Sequence, residues 1–189
     1  MTKYSDQPVY RINKWVTAEL RSAGVIPDAT AYVTDLEGAE NFALPFMMAA
    51  QTSPESSTPY NSGTYNSLPF CVWTVEQKGG HDQPWNRFGT ATYIFYANDV
   101  NKVLEIANAV HDITNREDWS ATDINYFYRN DATYPWDFKS IAFISGTGPA
   151  PAKDEGGRNA YMIIIEFFAV YEGINRNGEY GAITGLGRI

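Results

Sequence analysis

The sequence predicts an α+β fold in which an antiparallel or mixed sheet of about four main strands carries two helices on one face. Two segments repeat apolar residues every three or four positions, as amphipathic helices do. Four other segments are rich in β-branched and aromatic residues and are bounded by turn formers. The predicted order is helix, strand, strand, helix, strand, strand, with long loops between the elements.

The first helix is predicted over residues 7–23, where Ser5 or Asp6 can cap its start and Pro8 suits its first turn. Its apolar stripe consists of Val9, Ile12, Val16, Leu20 and Ala23. A long, loop-rich insertion is expected at 28–66, because turn-forming residues dominate it. Within this insertion, residues 31–34 and 46–50 can form short strands.

The middle of the chain reads as a hairpin followed by a helix. Strands are predicted over 69–77 and 87–97, with a wide loop at 78–84 because that stretch is rich in breakers. Asn98 or Asp99 is expected to cap the second helix. The apolar face of this helix is predicted to contain Val100, Val103, Leu104, Ala107, Val110 and Ile113. The polar and aromatic residues that follow, 120–135, are expected to be irregular.

The last two strands are predicted over 136–145 and 160–172, with a loop at 146–157 between them. The final strand would span roughly 43 Å at about 3.3 Å per residue. We therefore expect it either to bend at a bulge near Glu166 or to pair with something outside its own sheet. The Gly-rich tail at 173–189 is expected to be flexible unless a partner holds it.

Length and composition favour a single domain over residues 1–189 that meets other proteins. Lys and Arg number 14 against 22 Asp and Glu, so the net charge is −8, which disfavours binding to nucleic-acid phosphates or to an anionic membrane. Aromatic residues make up 15% and charged residues only 19%, a balance typical of protein interfaces. The N-terminus lacks an apolar signal core, so we expect a cytoplasmic protein with no membrane contact.

No motif with a chemical mechanism is found, so no catalytic residue, metal site or cofactor is predicted. His81 and His111 lack the convergent ligands that a metal requires. The glycine-rich stretches 145–148 and 181–187 lack the lysine and the strand-to-helix context of a phosphate loop. Cys71 is the single cysteine of the sequence, so it cannot form an intramolecular disulfide. Its alternating neighbours predict a buried strand position.

Aromatic and apolar residues near the strands are candidate contacts with other subunits or partners, since Trp and Tyr dominate interface hot spots. The candidates are Trp85, Tyr126, Tyr128, Trp136, Tyr161, Ile163, Ile165, Phe167 and Tyr171. An equally strong alternative is that the aromatic residues outside the strands dock the loops onto the body of the same chain.

Several segments carry a resemblance to a known family. They are the strand Leu-Pro-Phe-Cys-Val-Trp-Thr-Val-Glu at 68–76, the strand at 90–99 that runs directly into the helix at 100–113, and the final strand at 160–172. Together with the first helix, this pattern resembles the tail terminator proteins of long-tailed bacteriophages. The resemblance covers about 105 residues.

The resemblance implies a structural virion protein without catalytic residues, assembled in the host cytoplasm. It implies a ring, usually of six subunits, that caps the tail tube, contacts tube and sheath proteins and the head-neck connectors, and lets DNA slide through an electronegative lumen. The insertion at 28–66 and the glycine-rich tail depart from the family pattern. Another head-tail connector or a tail tube protein therefore remains an alternative.

A third interpretation is an α+β enzyme or small-ligand domain. Its site would lie under the aromatic segment 120–135 and would use a carboxylate such as Asp123 or Asp137.

Overall fold

The structure is a computed structural model that describes residues 7–26, 47–49, 69–80, 83–115, 119–131, 136–151 and 158–171. The predicted glycine-rich tail at 173–189, the strand at 31–34 and most of the insertion at 28–66 lie outside these described residues. Within the insertion, the strand expected at 46–50 is present as a short strand of three residues.

The fold is α+β, as the sequence predicts. Its elements are α1 (Pro8–Ser22), β1 (Met47–Ala49), β2 (Phe70–Gly80), β3 (Gln83–Ala97), α2 (Val100–Thr114), α3 (Trp119–Phe127), β4 (Trp136–Pro151) and β5 (Asn159–Tyr171). The strands form one sheet in the order β1-β2-β3-β5-β4. The four long strands are antiparallel to their neighbours, and β1 pairs parallel to β2.

The core lies between the helices and one face of the sheet. Alternate residues of the strands point into it, because successive side chains of a strand lie on opposite faces. Examples are Cys71 in β2 and Tyr93 and Phe95 in β3, which are all buried. The Tyr93 hydroxyl donates a hydrogen bond of 2.7 Å to Asn13 Oδ1, which fixes α1 over the middle of the sheet.

The first helix forms where it is predicted. Pro8 occupies its first turn, but Gln7 is the N-cap residue and makes no side-chain capping bond. Ser5 and Asp6 lie outside the described residues. Gly24, with φ +69°, ends the helix, because this left-handed conformation is strained for residues with a Cβ.

The second helix also begins as predicted, because the Asp99 side chain accepts a hydrogen bond of 2.9 Å from the Asn101 N–H. Its buried face differs in detail from the prediction. Val100 is 39% exposed, whereas Ile106, absent from the predicted stripe, is completely buried. None of the described helices is long and apolar enough to cross a lipid bilayer.

Three segments predicted as loops belong to regular elements. The hairpin loop is shorter than expected, since β2 continues to Gly80 and β3 begins at Gln83. The loop predicted at 146–157 is strand as far as Pro151. Segment 120–135 contains α3, which is stabilised by tertiary contacts: Ile124 is fully buried, and the buried Ser120 hydroxyl donates to the Ile113 carbonyl of α2 at 3.0 Å.

The length of β5 is satisfied within its own sheet. It pairs with β3 from Asn159 to Val170 and with β4 from Asn159 to Tyr171. Both neighbours are long, at 15 and 16 residues. The pairing of β4 with β5 contains register shifts, and these lie in β4 between Phe138 and Ala150 and not at Glu166. The expectation that β5 bends near Glu166 or pairs outside its own sheet is therefore wrong.

The core position of Phe167 predicts a large loss of stability on truncation. Phe167 is fully buried, so Phe167→Ala should lower the free energy of unfolding by about 3–5 kcal/mol. The matched change Phe88→Ala, at a side chain that is 43% exposed, should cost about 1 kcal/mol or less. Urea denaturation of both variants measures the difference, and equal losses would contradict the assignment of the two faces.

Complete burial raises the pKa of the Cys71 thiol well above its ordinary value. The folded state then keeps the thiol proton at a pH where the unfolded state, with a pKa of about 8.5, has lost it. The unfolded state binds fewer protons, so stability falls as pH rises above about 8.5, by at most about 1.4 kcal/mol per unit.

We expect the free energy of unfolding of the wild type to fall relative to that of Cys71→Ala between about pH 8.5 and 10. Urea denaturation at several pH values measures this difference. Parallel curves for the two proteins would show that the thiol is accessible to solvent in the folded state.

Candidate assembly surface

Three of the predicted contact residues belong to the core of their own chain. Ile163, Ile165 and Phe167 in β5 are all 0% exposed. Because β5 is flanked on both sides within its own sheet, these side chains face α2 and its neighbours rather than another subunit. This corrects the prediction for these residues, and we leave them out of the candidate surface.

Two further candidates fix elements of the chain to each other. The buried Tyr128 donates a hydrogen bond of 3.1 Å to the Arg11 carbonyl, and the Arg11 guanidinium lies 4.4 Å from its ring centroid. Trp136, which is 7% exposed, packs edge-on against Tyr171 with ring centroids 5.2 Å apart. These contacts match the alternative in which aromatic residues dock segments onto the same chain.

The remaining candidates differ in their surroundings. Tyr161 and Tyr171 are partly buried and pack against the core. Trp85 lies in β3, but its side chain is outside the described part of the structure. Tyr126 is 63% exposed, which makes it the most exposed of the large hydrophobic residues in the described part of the chain.

Tyr126 forms the centre of a small exposed surface at the end of α3. The Arg129 guanidinium lies 3.8 Å from the Tyr126 ring centroid, and Arg129 Nη1 donates a hydrogen bond of 2.9 Å to the Tyr126 carbonyl. Phe127, which is 39% exposed, lies beside them. We call Tyr126, Phe127 and Arg129 the α3 patch. Tyr and Arg are enriched in interface hot spots, and here the two side chains stack on each other.

Asn125, the residue before the α3 patch, pairs with the backbone of β4 near the start of its outer edge. Its Nδ2 donates to the Phe138 carbonyl at 2.8 Å, and its Oδ1 accepts from the Phe138 N–H at 3.0 Å. The side-chain amide therefore takes the place of a neighbouring strand at this residue. Since unpaired edges attract other strands, this pairing protects the edge and fixes α3, with its patch, against the sheet.

The sequence analysis missed Asn125, Phe127 and Arg129. The spacing of Tyr126 and Arg129, three residues apart, places both on one side of a helix. That signal has meaning only if the segment is helical, and the segment was expected to be irregular.

Of the two candidate carboxylates, Asp137 makes a contact that the structure defines. Asp137 forms an ion pair with Lys139 at the surface. In the described part of segment 120–135, Ala121, Ile124 and Tyr128 are buried in the core. Within the described ranges, no three His, Cys, Asp or Glu residues come together as metal ligands. His111 packs edge-on against Phe143, with ring centroids 4.6 Å apart, and His81 lies outside those ranges.

Comparison with known proteins finds no family model that matches the chain and no curated protein that matches it significantly.

The two hydrogen bonds of Asn125 predict that its truncation weakens the edge of β4. Asn125→Ala should lower the free energy of unfolding by about 1–3 kcal/mol and speed amide exchange at Phe138, because the Phe138 N–H and carbonyl lose their partner. The matched change Asn130→Ala, at an exposed residue, should cost about 0.5 kcal/mol or less. Unchanged exchange at Phe138 in Asn125→Ala would contradict this role.

Proposed function

We propose that the protein is a structural component of a phage tail that assembles into a ring at the junction between tail and head, as a tail terminator does. The subunits would contact each other and the tail tube, and the head-neck connector proteins would dock on the assembled ring. DNA would pass through the ring without specific contacts.

The arrangement of the elements supports this proposal. The helix α1, the hairpin β2-β3, the helix α2 and the strands β4 and β5 occur in the order of the resemblance, with β1 and α3 as additional elements. β3 ends at Ala97, and α2 begins at Val100 after the Asp99 cap, so the strand runs almost directly into the helix. All four long strands lie in one antiparallel sheet, with β5 in the interior.

The charge of the chain is compatible with a channel for DNA. The net charge of −8 disfavours adhesion to phosphates. A ring through which a genome slides requires this property of its inner wall, because each phosphate neutralised by Lys or Arg would add to the affinity.

The observation that carries the proposal is the exposed α3 patch. The Arg129 guanidinium stacks on the Tyr126 ring, and the patch lies at the end of an element that the Asn125 contacts join to the sheet. A cyclic ring requires a contact between two different surfaces of identical subunits, with a rotation that closes. An exposed aromatic and arginine patch is suited to such a contact, whereas the length of β5 no longer argues for one.

The proposal predicts that the protein forms rings, alone at high concentration or on preformed tail tubes. Light scattering coupled to size-exclusion chromatography and electron microscopy of tubes mixed with the protein would detect them. A protein that stays monomeric at high concentration and also leaves the ends of tail tubes bare would contradict the proposal.

Removing the α3 patch should separate assembly from folding. Tyr126→Ser combined with Arg129→Ser should weaken ring formation or tube binding by about 30-fold or more, the equivalent of a hot spot of at least about 2 kcal/mol. The matched change Ile144→Ser, at another exposed large hydrophobic side chain, should leave assembly intact. Circular dichroism would confirm that both variants fold, and equal assembly of both would exclude the patch as the contact.

A further inference from the structure

The face of the sheet opposite the helices is unusually apolar along β5. On β5 this face carries Ala160, Met162, Ile164, Glu166, Phe168 and Val170, so four of six positions hold a large apolar side chain. On β3, Ile94 lies opposite Met162 and Phe88 lies opposite Phe168, with two threonines between them. We call these apolar residues the outer-face patch: Phe88, Ile94, Met162, Ile164, Phe168 and Val170.

A sheet face that meets water is normally polar, with apolar side chains confined to the core face. The outer-face patch departs from this rule along the central pair of strands, and Phe88 is 43% exposed. The described helices do not cover it, since they pack on the face that carries Tyr93 and Phe167. Large apolar side chains grouped in this way on an outer sheet face indicate a site where another segment binds.

We propose that residues 172–189 of the same chain bind along the outer-face patch. β5, which supplies four of the six patch residues, ends at Tyr171, so the segment begins two residues beyond Val170. Its 18 residues extend to about 59 Å at about 3.3 Å each, whereas the 13 residues of β5 span about 43 Å. After one turn, the segment is long enough to run back over the whole patch.

The composition of the segment suits this surface. It contains Ile174, Tyr180, Ile183, Leu186 and Ile189 among small residues. Its glycines allow the backbone to approach a sheet closely, because they have no side chain to hold it away. Its two acidic residues are balanced by two arginines, so it carries no net charge that Glu166 could repel.

Proximity favours binding of the patch by residues 172–189 of the same chain over binding by the same residues of a second copy. A tether of a few residues holds it at an effective concentration in the millimolar range, far above that of another copy in dilute solution. This inference rests on the sheet and on the sequence that follows it, and it does not depend on the ring proposal.

Oxidation of Met162 by hydrogen peroxide tests the inference in the full chain. In Ile183→Ser/Leu186→Ser, the formation of Met162 sulfoxide should be about three- to tenfold faster than in the wild type, because the thioether loses its cover. The control Thr184→Ser should match the wild type. Mass spectrometry of the tryptic peptide 159–176 measures the rate, and circular dichroism verifies folding. An oxidation rate that is the same in all three proteins would overturn the inference.

Crosslinking identifies what covers the patch. A benzoylphenylalanine placed at Ile94 of the full chain should join the tryptic peptides 88–102 and 177–188 within a product of monomer mass. The same pair of peptides in a product of dimer mass would assign the cover to a second copy and overturn the inference. Crosslinks to other peptides alone would also overturn it.

Discussion

The fold depends on the burial and pairing of one strand. Ile163, Ile165, Phe167 and Ala169 of β5 are each 0% exposed, and β5 forms hydrogen-bonded ladders with β3 and β4 along nearly its whole length. These side chains provide the surface on which the helices pack. The strands beside β5 extend as far as it does, so an apolar strand of 13 residues leaves no unpaired half. The core residues of the helices and of the other strands are thus packed around a sheet that has β5 in its interior.

The sequence was sufficient for the elements whose patterns are local. The alternation around Cys71 and the repeat from Val103 to Ile113 each identify a buried face without knowledge of the partner, and Asp99 marks the helix start by its own chemistry. The helix α3 was missed because its stability comes from distant contacts. The Ser120 hydroxyl finds its acceptor on α2, and the Tyr128 hydroxyl finds its acceptor at Arg11, 117 positions away in the chain.

The same difference between local patterns and distant contacts explains which residues of the candidate site could be predicted. Aromatic residues in the sequence predict contacts, but the sequence does not say whether a ring points into its own chain or away from it. Tyr126 and Tyr128 are two residues apart, yet one is 63% exposed and the other 4%. The last turn of α3 separates them: the Tyr128 N–H still bonds to the Ile124 carbonyl, and residues two positions apart on such a turn lie on different sides. Only recognition of the helix would have divided the aromatic candidates into those that pack within the chain and those that lie exposed at its surface.

The irregularity of β4 has a consequence for how copies of this protein can associate. Its register against β5 shifts between Phe138 and Ser140, between Phe143 and Ser145, and between Thr147 and Ala150. The longest of the regular stretches is therefore only a few residues, and Pro149 and Pro151 offer no N–H. Another strand could not pair along the whole of this edge, so the edge resists the growth of cross-β fibrils at high protein concentration. At this edge, contacts with another copy must then be made by side chains rather than by continuation of the sheet.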